Sequence, residues 1–174
     1  MIDRRPETHE YDQRYKHYIE LVPENDLITV MLSQLEETMS FISSIPAVKY
    51  DYQYAADKWT VREVTLHICD VERTFGYRAL CAAKGYQVEL KRIDSNHNMP
   101  NGNFNRLPLV ELSKEFEFVR KSNAMFFKHL PDVTWDCPVF ISDAKFTIRA
   151  LGYLMVGHER HHLRILKERY IRNP

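Results

Sequence analysis

The sequence predicts an all-α fold, a bundle of four long helices, and three observations predict it. Glycine is scarce, five in 174 residues, and prolines fall between the periodic segments, which favours helices over strands and hairpins. Apolar residues recur with helical spacing in four separate stretches. A connection of about twenty residues, 86–107, separates the second stretch from the third. Short loops force consecutive helices to be antiparallel neighbours, whereas a crossover of that length lets these two run the same way.

Length and composition bound the rest. A chain of 174 residues suits one domain, 1–174, with residues 1–20 expected at its periphery. Lys+Arg and Asp+Glu each number 24, so there is no basic excess for nucleic acid. No run of about 18 apolar residues exists to carry a helix through a membrane. Met1 to Pro6 shows no apolar h-region, so no secretory signal is expected there. Cys69, Cys81 and Cys137 are an odd number without CxxC spacing. Cys69 and Cys81 fall on one predicted helix about 18 Å apart, too far for a disulfide. Reduced, packing cysteines fit a cytoplasmic protein.

In order along the chain, residues 1–22 are polar and aromatic, with Tyr11, Tyr15 and Tyr18 at near-helical spacing, and are expected to lie across the bundle surface, partly helical. Pro23 breaks the segment, and Asn25 or Asp26 can cap the first long helix. Its stripe is Leu27, Val30, Met31, Gln34, Leu35, Thr38, Met39 and Ile42, and it ends before Pro46. Thr60-Val61-Arg62-Glu63 is a capping box that starts the second helix; this runs to about Lys84, where Gly85 can close it in the left-handed region. Val61, Val64, Ile68, Val71, Phe75 and Leu80 are its apolar positions. The crossover is rich in Asn: Asn96, Asn98, Asn101, Asn103 and Asn105. Pro108 is expected in the first turn of the third helix, whose apolar face reads Val110, Leu112, Phe116, Val119, Met125, Phe126 and Leu130. Val139-Phe140-Ile141 reads as a short extended piece and Ser142 to Lys145 as a turn. The fourth helix is expected from Thr147, its cap, to about Arg169, with Ile148, Leu151, Leu154, Met155, Ile165 and Leu166 inward.

The candidate site lies on that last helix. Each helical residue advances about 100°, so His158 and His162 stand about 40° and one turn apart, on one stripe. Two imidazoles so placed can bind one divalent cation. The plain alternative is a solvated helix end with scattered histidines, and His161 is a competing partner for His158. His67, in the apolar stripe of the second helix, is either a core histidine or the third ligand. Asp70, three residues on, can orient a ligand, act as base, or simply pair with Arg73 or Arg62. Arg78, three turns after His67, can reach a substrate carboxylate or form a structural ion pair. Glu159 and His161 are expected to face solvent or a neighbouring helix.

Two motifs carry a resemblance. Lys58-Trp59-Thr60-Val61-Arg62-Glu63-Val64 followed by His67, and Gly157-His158-Glu159-Arg160-His161-His162-Leu163, together resemble the DinB/YfiT-like superfamily. Val22 to Leu27, Asp70-Val71-Glu72-Arg73, Tyr77-Arg78-Ala79-Leu80 and Asn103-Phe104-Asn105 extend it over about residues 18–170. The chain departs from relatives at Asp94 to Pro100, where a short Ala-rich helical piece is expected. The resemblance implies an up-down-down-up four-helix bundle. It implies one divalent metal, nickel or zinc, held by His67, His158 and His162. It also implies a homodimer and a small-molecule substrate. Where reactions are known in such relatives, they often use a low-molecular-weight thiol; others are described as metal-dependent hydrolases.

Three neutral imidazoles leave a divalent cation with open positions and a full +2 charge, which suits thiolate or hydroxide equally. The ligands do not decide between the two; what the resemblance implies is a metal-dependent thiol S-transferase. The alternatives are a metal-dependent hydrolase and a stress-associated protein that holds metal without turnover. If the triad is real, its nitrogens should lie within roughly 4 Å of one another even without metal.

Overall fold

The computed structural model describes residues 4–86, 88–94 and 106–171. The elements are α1 (Lys16–Glu20), α2 (Leu27–Ser44), α3 (Val61–Lys84), α4 (Leu109–Lys128), the strands β1 (Pro138–Ile141) and β2 (Ala144–Thr147), and α5 (Ile148–Ile165). The Asn-rich part of the crossover and the departure after Asp94 lie outside the described residues. Among the described residues no helix is long and apolar enough to cross a membrane.

The helix ends follow local chemistry. The Asp26 carboxylate accepts from the Thr29 amide at 3.0 Å and starts α2. The capping box of α3 is formed in both directions, Glu63 N–H to the Thr60 hydroxyl at 3.1 Å and Thr60 N–H to the Glu63 carboxylate at 2.8 Å. Gly85 ends α3 at φ 65°, a left-handed conformation that favours glycine. Pro108 is extended and caps α4, so that helix begins one residue later than expected. The Thr147 hydroxyl accepts from the Ala150 amide at 3.1 Å and starts α5. Its last turn, Leu166–Ile171, is widened into a π-helix. The predicted extended piece is β1, and the turn is narrower than expected. Only Ser142 and Asp143 turn, because Ala144 pairs back onto Ile141 in an antiparallel hairpin.

Paired contacts give the helix directions. Arg73 pairs with Glu115, and Asn123 donates to the Glu72 carbonyl beside Gly76, so α3 and α4 run the same way. Leu27 packs on Gly152 and Thr38 bonds Glu159, so α2 and α5 also run together. Arg120 reaches the Met31 carbonyl while Ser113 reaches Met39, so α2 and α4 are antiparallel. His67, early in α3, meets His158 and His162, late in α5, so α3 and α5 are antiparallel. The four long helices are therefore an up-down-down-up bundle, with α4 packed against both α2 and α3, and α5 likewise.

The core is in two parts, split by a buried polar layer. One cluster contains Met31, Phe75, Ala124, Phe127 and Val156; the other contains Leu35, Ile68, Phe116, Leu163 and Leu166. Between them the Arg120 guanidinium bonds both oxygens of Glu72, at 2.8 and 2.9 Å, and donates to Glu159 at 2.7 Å. Gln34 and Thr38 donate to the Glu159 carboxylate as well. Isolated buried charges are prohibitive, and pairing with full hydrogen bonding is what makes these tolerable.

This layer decides one expectation and corrects another. Of the two settings expected for Glu159, solvent or a neighbouring helix, the second holds: it is 1% exposed and faces Arg120 and α2. The inner face of α4 runs Leu109, Leu112, Ser113, Phe116, Arg120, Ala124 and Phe127, passing through the arginine. Val110 and Met125, expected inward, are 58% and 54% exposed. An apolar-only reading skips the buried arginine and shifts the stripe round the helix. The N-terminal segment is also less peripheral than expected, since Glu10, Tyr11, Ile19 and Val22 are buried and α1 packs on α5.

Candidate metal centre

His67 lies two turns into α3, on its inner face, at a depth set by the Thr60 cap. His158 and His162 lie one turn apart near the end of α5. The Nε2 atoms of His67 and His158 are 3.0 Å apart, and those of His162 and His158 are 3.1 Å apart. One donor atom from each ring lies within 4.8 Å of the other two. Two of the separations meet the roughly 4 Å expectation, and the set as a whole is wider. Nitrogens about 2.1 Å from one ion are at most about 4.2 Å apart, so the widest pair must draw in by roughly half an ångström.

Burial decides the protonation of the rings. Desolvation pushes His67 down to about 4. It pushes His162 down to about 3, with His67 and His161 adding to the effect. His158 is driven well below its ordinary value by burial and then by His162 and His67. All three are neutral at pH 7 and each has one free lone pair. Three neutral rings crowded on one point can share at most a few N–H donors, whereas one divalent cation accepts all three lone pairs. The residues therefore fit a metal.

Neighbours hold the rings in place. The Trp59 ring packs on His67 at 4.6 Å, and the Trp59 carbonyl accepts from the Tyr170 hydroxyl at 2.6 Å. Tyr18 packs on His158 at 5.4 Å. The competitor, His161, turns instead toward Tyr18 and His17, at 5.3 and 6.1 Å.

The triad opens onto a cleft of about 1010 Å³ whose lining includes Tyr15, Tyr18, Trp59, Phe75 and Phe146. Asp70 and Arg78 line the same cleft. The Asp70 side chain is 57% exposed and faces Arg73 at 3.9 Å, the plainest of its predicted roles, and among the described residues it bonds no imidazole. Partial burial raises its carboxyl, Arg73 opposes this and Glu115 adds to it, and its exposure screens the whole effect. Arg78 is buried but has no carboxylate partner among the described residues, so among them the structural ion pair expected as one alternative is not formed. It donates to the Lys91 carbonyl at 2.5 Å and lies over the Phe75 ring. Sequence reasoning missed the aromatic walls, although Tyr15 and Tyr18, at near-helical spacing, were part of their signal.

Fold and site together define a class, four-helix bundles with a three-histidine cluster between the second and fourth long helices. The chain belongs to the DinB superfamily, whose family model matches residues 32–166. Among solved structures it is similar to YfiT from Bacillus subtilis, described as a probable metal-dependent hydrolase with an unusual four-helix bundle topology. That likeness has a TM-score of 0.68 at 16% identity and covers 94% of this chain and 89% of YfiT, and it concerns the fold. No curated protein matches the chain.

Proposed function

We propose that this is a metal-dependent enzyme in which His67, His158 and His162 hold one divalent cation, nickel or zinc, and that it transfers a low-molecular-weight thiol to a small electrophile. The observation that carries the reading is the convergence of three neutral imidazole nitrogens on the wall of an open cleft. A cation bound there would supply Lewis acidity that favours the deprotonated form of a thiol or of water. A closed structural site would use four protein ligands, and among the described residues this cluster brings three together. The chain's own part is to bind and exclude water. Tyr15, Tyr18, Trp59 and Phe146 supply apolar walls, and Asp70, at the cleft's side, can take a proton at its carboxylate.

A second reading, hydrolysis of a small molecule, is favoured by what YfiT is described as. The test is metal analysis of untagged protein, then paired screens of thiol conjugation and ester or amide hydrolysis with and without metal. Metal-dependent conjugation supports transfer, and metal-dependent hydrolysis alone supports the second reading. Stoichiometric metal without either activity points to a protein that holds metal without turnover. Activity that is indifferent to metal rejects the site.

A further inference from the structure

We propose that Arg78 is the anion-binding end of the cleft and that the physiological ligand carries a carboxylate or similar anionic group far from its reacting atom. The inference rests on the metal-site reading for where the reacting atom sits, but not for Arg78 itself.

Three arginines line the cleft. Arg73 pairs with Glu115 and Asp70, and Arg92 pairs with Asp143 at 3.0 Å. Arg78 is only 8% exposed, yet no carboxylate pairs with it among the described residues. The chain from Ser95 to Asn105 contains no Asp or Glu either. A buried guanidinium stays charged, and a buried charge is ordinarily paired. Here the described residues offer the Lys91 carbonyl and the face of Phe75. Its nitrogens are not among the buried orphan atoms, so the remaining N–H groups are open to the cleft. That leaves one side of a planar fork, the geometry that takes a carboxylate in two parallel hydrogen bonds.

The spacing sets the ligand's length. Eleven residues of α3 separate the Cα atoms of His67 and Arg78 by about 16 Å, and an Arg side chain leans back toward the helix N-terminus. A ligand touching both ends therefore spans on the order of 10 Å or more between reacting atom and anion. Between the two ends the wall is aromatic, with Tyr15, Tyr18 and Phe75.

The test uses full-length protein and two matched pairs of probes. Octanoate and octanol are titrated calorimetrically into metal-free protein. ω-Mercaptooctanoate and ω-mercaptooctanol are titrated into cobalt-loaded protein and followed by the thiolate-to-cobalt absorption band. The acid of each pair should bind about tenfold more tightly than the alcohol, the size of one charge-assisted contact. Arg78→Met should abolish that preference and Arg78→Lys should restore part of it, with circular dichroism checking that both fold. Equal binding of acid and alcohol by the wild type overturns the proposal without need of any variant. A preference that survives Arg78→Met also overturns it. If cobalt fails to bind while the octanoate preference stands and depends on Arg78, the metal reading fails and the anion site is supported.

Discussion

The Nε2 of His67 lies 3.0 Å from the Nε2 of His158, although 91 residues separate them along the chain. The contact depends on the phase of two helices, one fixed by the Thr60–Glu63 capping box and the other by Thr147. A site assembled in this way does not exist in the unfolded chain, so a bound metal stabilises only the native state.

Metal removal should therefore lower the melting point. At a free metal concentration about 100 times Kd the linkage is worth about 2.7 kcal/mol. Calorimetry of metal-loaded and metal-free protein measures it. His158→Ala and His162→Ala should each erase the difference, while His161→Ala should keep it. Loss of the difference in His161→Ala alone would show that the cluster uses the other ring.

The metal-free protein should also lose stability with acid in a defined window. The folded pKa of each ring is depressed, to about 4 for His67 and about 3 for His162. Below about 6.5 the unfolded chain takes up protons that the folded state refuses, so stability falls as the pH drops through 6.5 toward those folded values. Each buried ring should contribute on the order of 1–3 kcal/mol. Urea midpoints at pH 7.5 and pH 5 measure this, and His67→Gln should flatten the dependence. An equal slope in that variant would place the titration elsewhere.

Much of this was readable in the sequence, for identifiable reasons. Caps are local chemistry, so Asp26, the Thr60–Glu63 box, Gly85 and Thr147 mark their helix ends correctly. The imidazole stripe on α5 follows from helical geometry alone. The polar layer did not follow, because whether Arg120 is solvated or buried depends on Glu72 and Glu159 arriving from two other helices. Arg78 shows the same limit. Its spacing was legible, but the lack of a carboxylate partner among the described residues is a fact of tertiary structure.

The polar layer gives a sharp stability prediction. Arg120 is fully buried between two carboxylates, so Arg120→Ala leaves Glu72 and Glu159 facing each other without a cation. The expected loss is about 3–5 kcal/mol in denaturant unfolding. Glu159 is already pushed upward by burial, so part of the loss should return at low pH as carboxylates take up protons. A loss under about 1 kcal/mol at neutral pH would mean that water replaces the guanidinium.

Asp70→Asn separates two roles. Asp70 bonds no imidazole and its ion-pair partner is Arg73, so metal content and melting point should change little. If the carboxylate accepts a proton during turnover, kcat should fall about 100-fold at unchanged metal content. An unchanged rate would leave Asp70 as a surface carboxylate beside Arg73.

Gly157 provides a test that touches no ligand. A Cβ at this position would stand 2.1 Å from the Tyr18 carbonyl oxygen and 2.7 Å from its carbon, so α1 must move away from α5 before any side chain fits. The obstacle is backbone and cannot swing aside as the end of a long side chain could. Tyr18 carries the ring that packs on His158, so the displacement should also loosen one wall of the cluster. Gly157→Ala should cost about 1–3 kcal/mol of stability, the usual range for overpacking, and should weaken cobalt binding as well. Gly85→Ala is the control. It strains a left-handed backbone at φ 65° but meets nothing within 4 Å, so it should cost about 1–2 kcal/mol and leave cobalt affinity unchanged. Equal cobalt affinity in the two variants, at equal loss of stability, would show that α1 covers the cluster without positioning it.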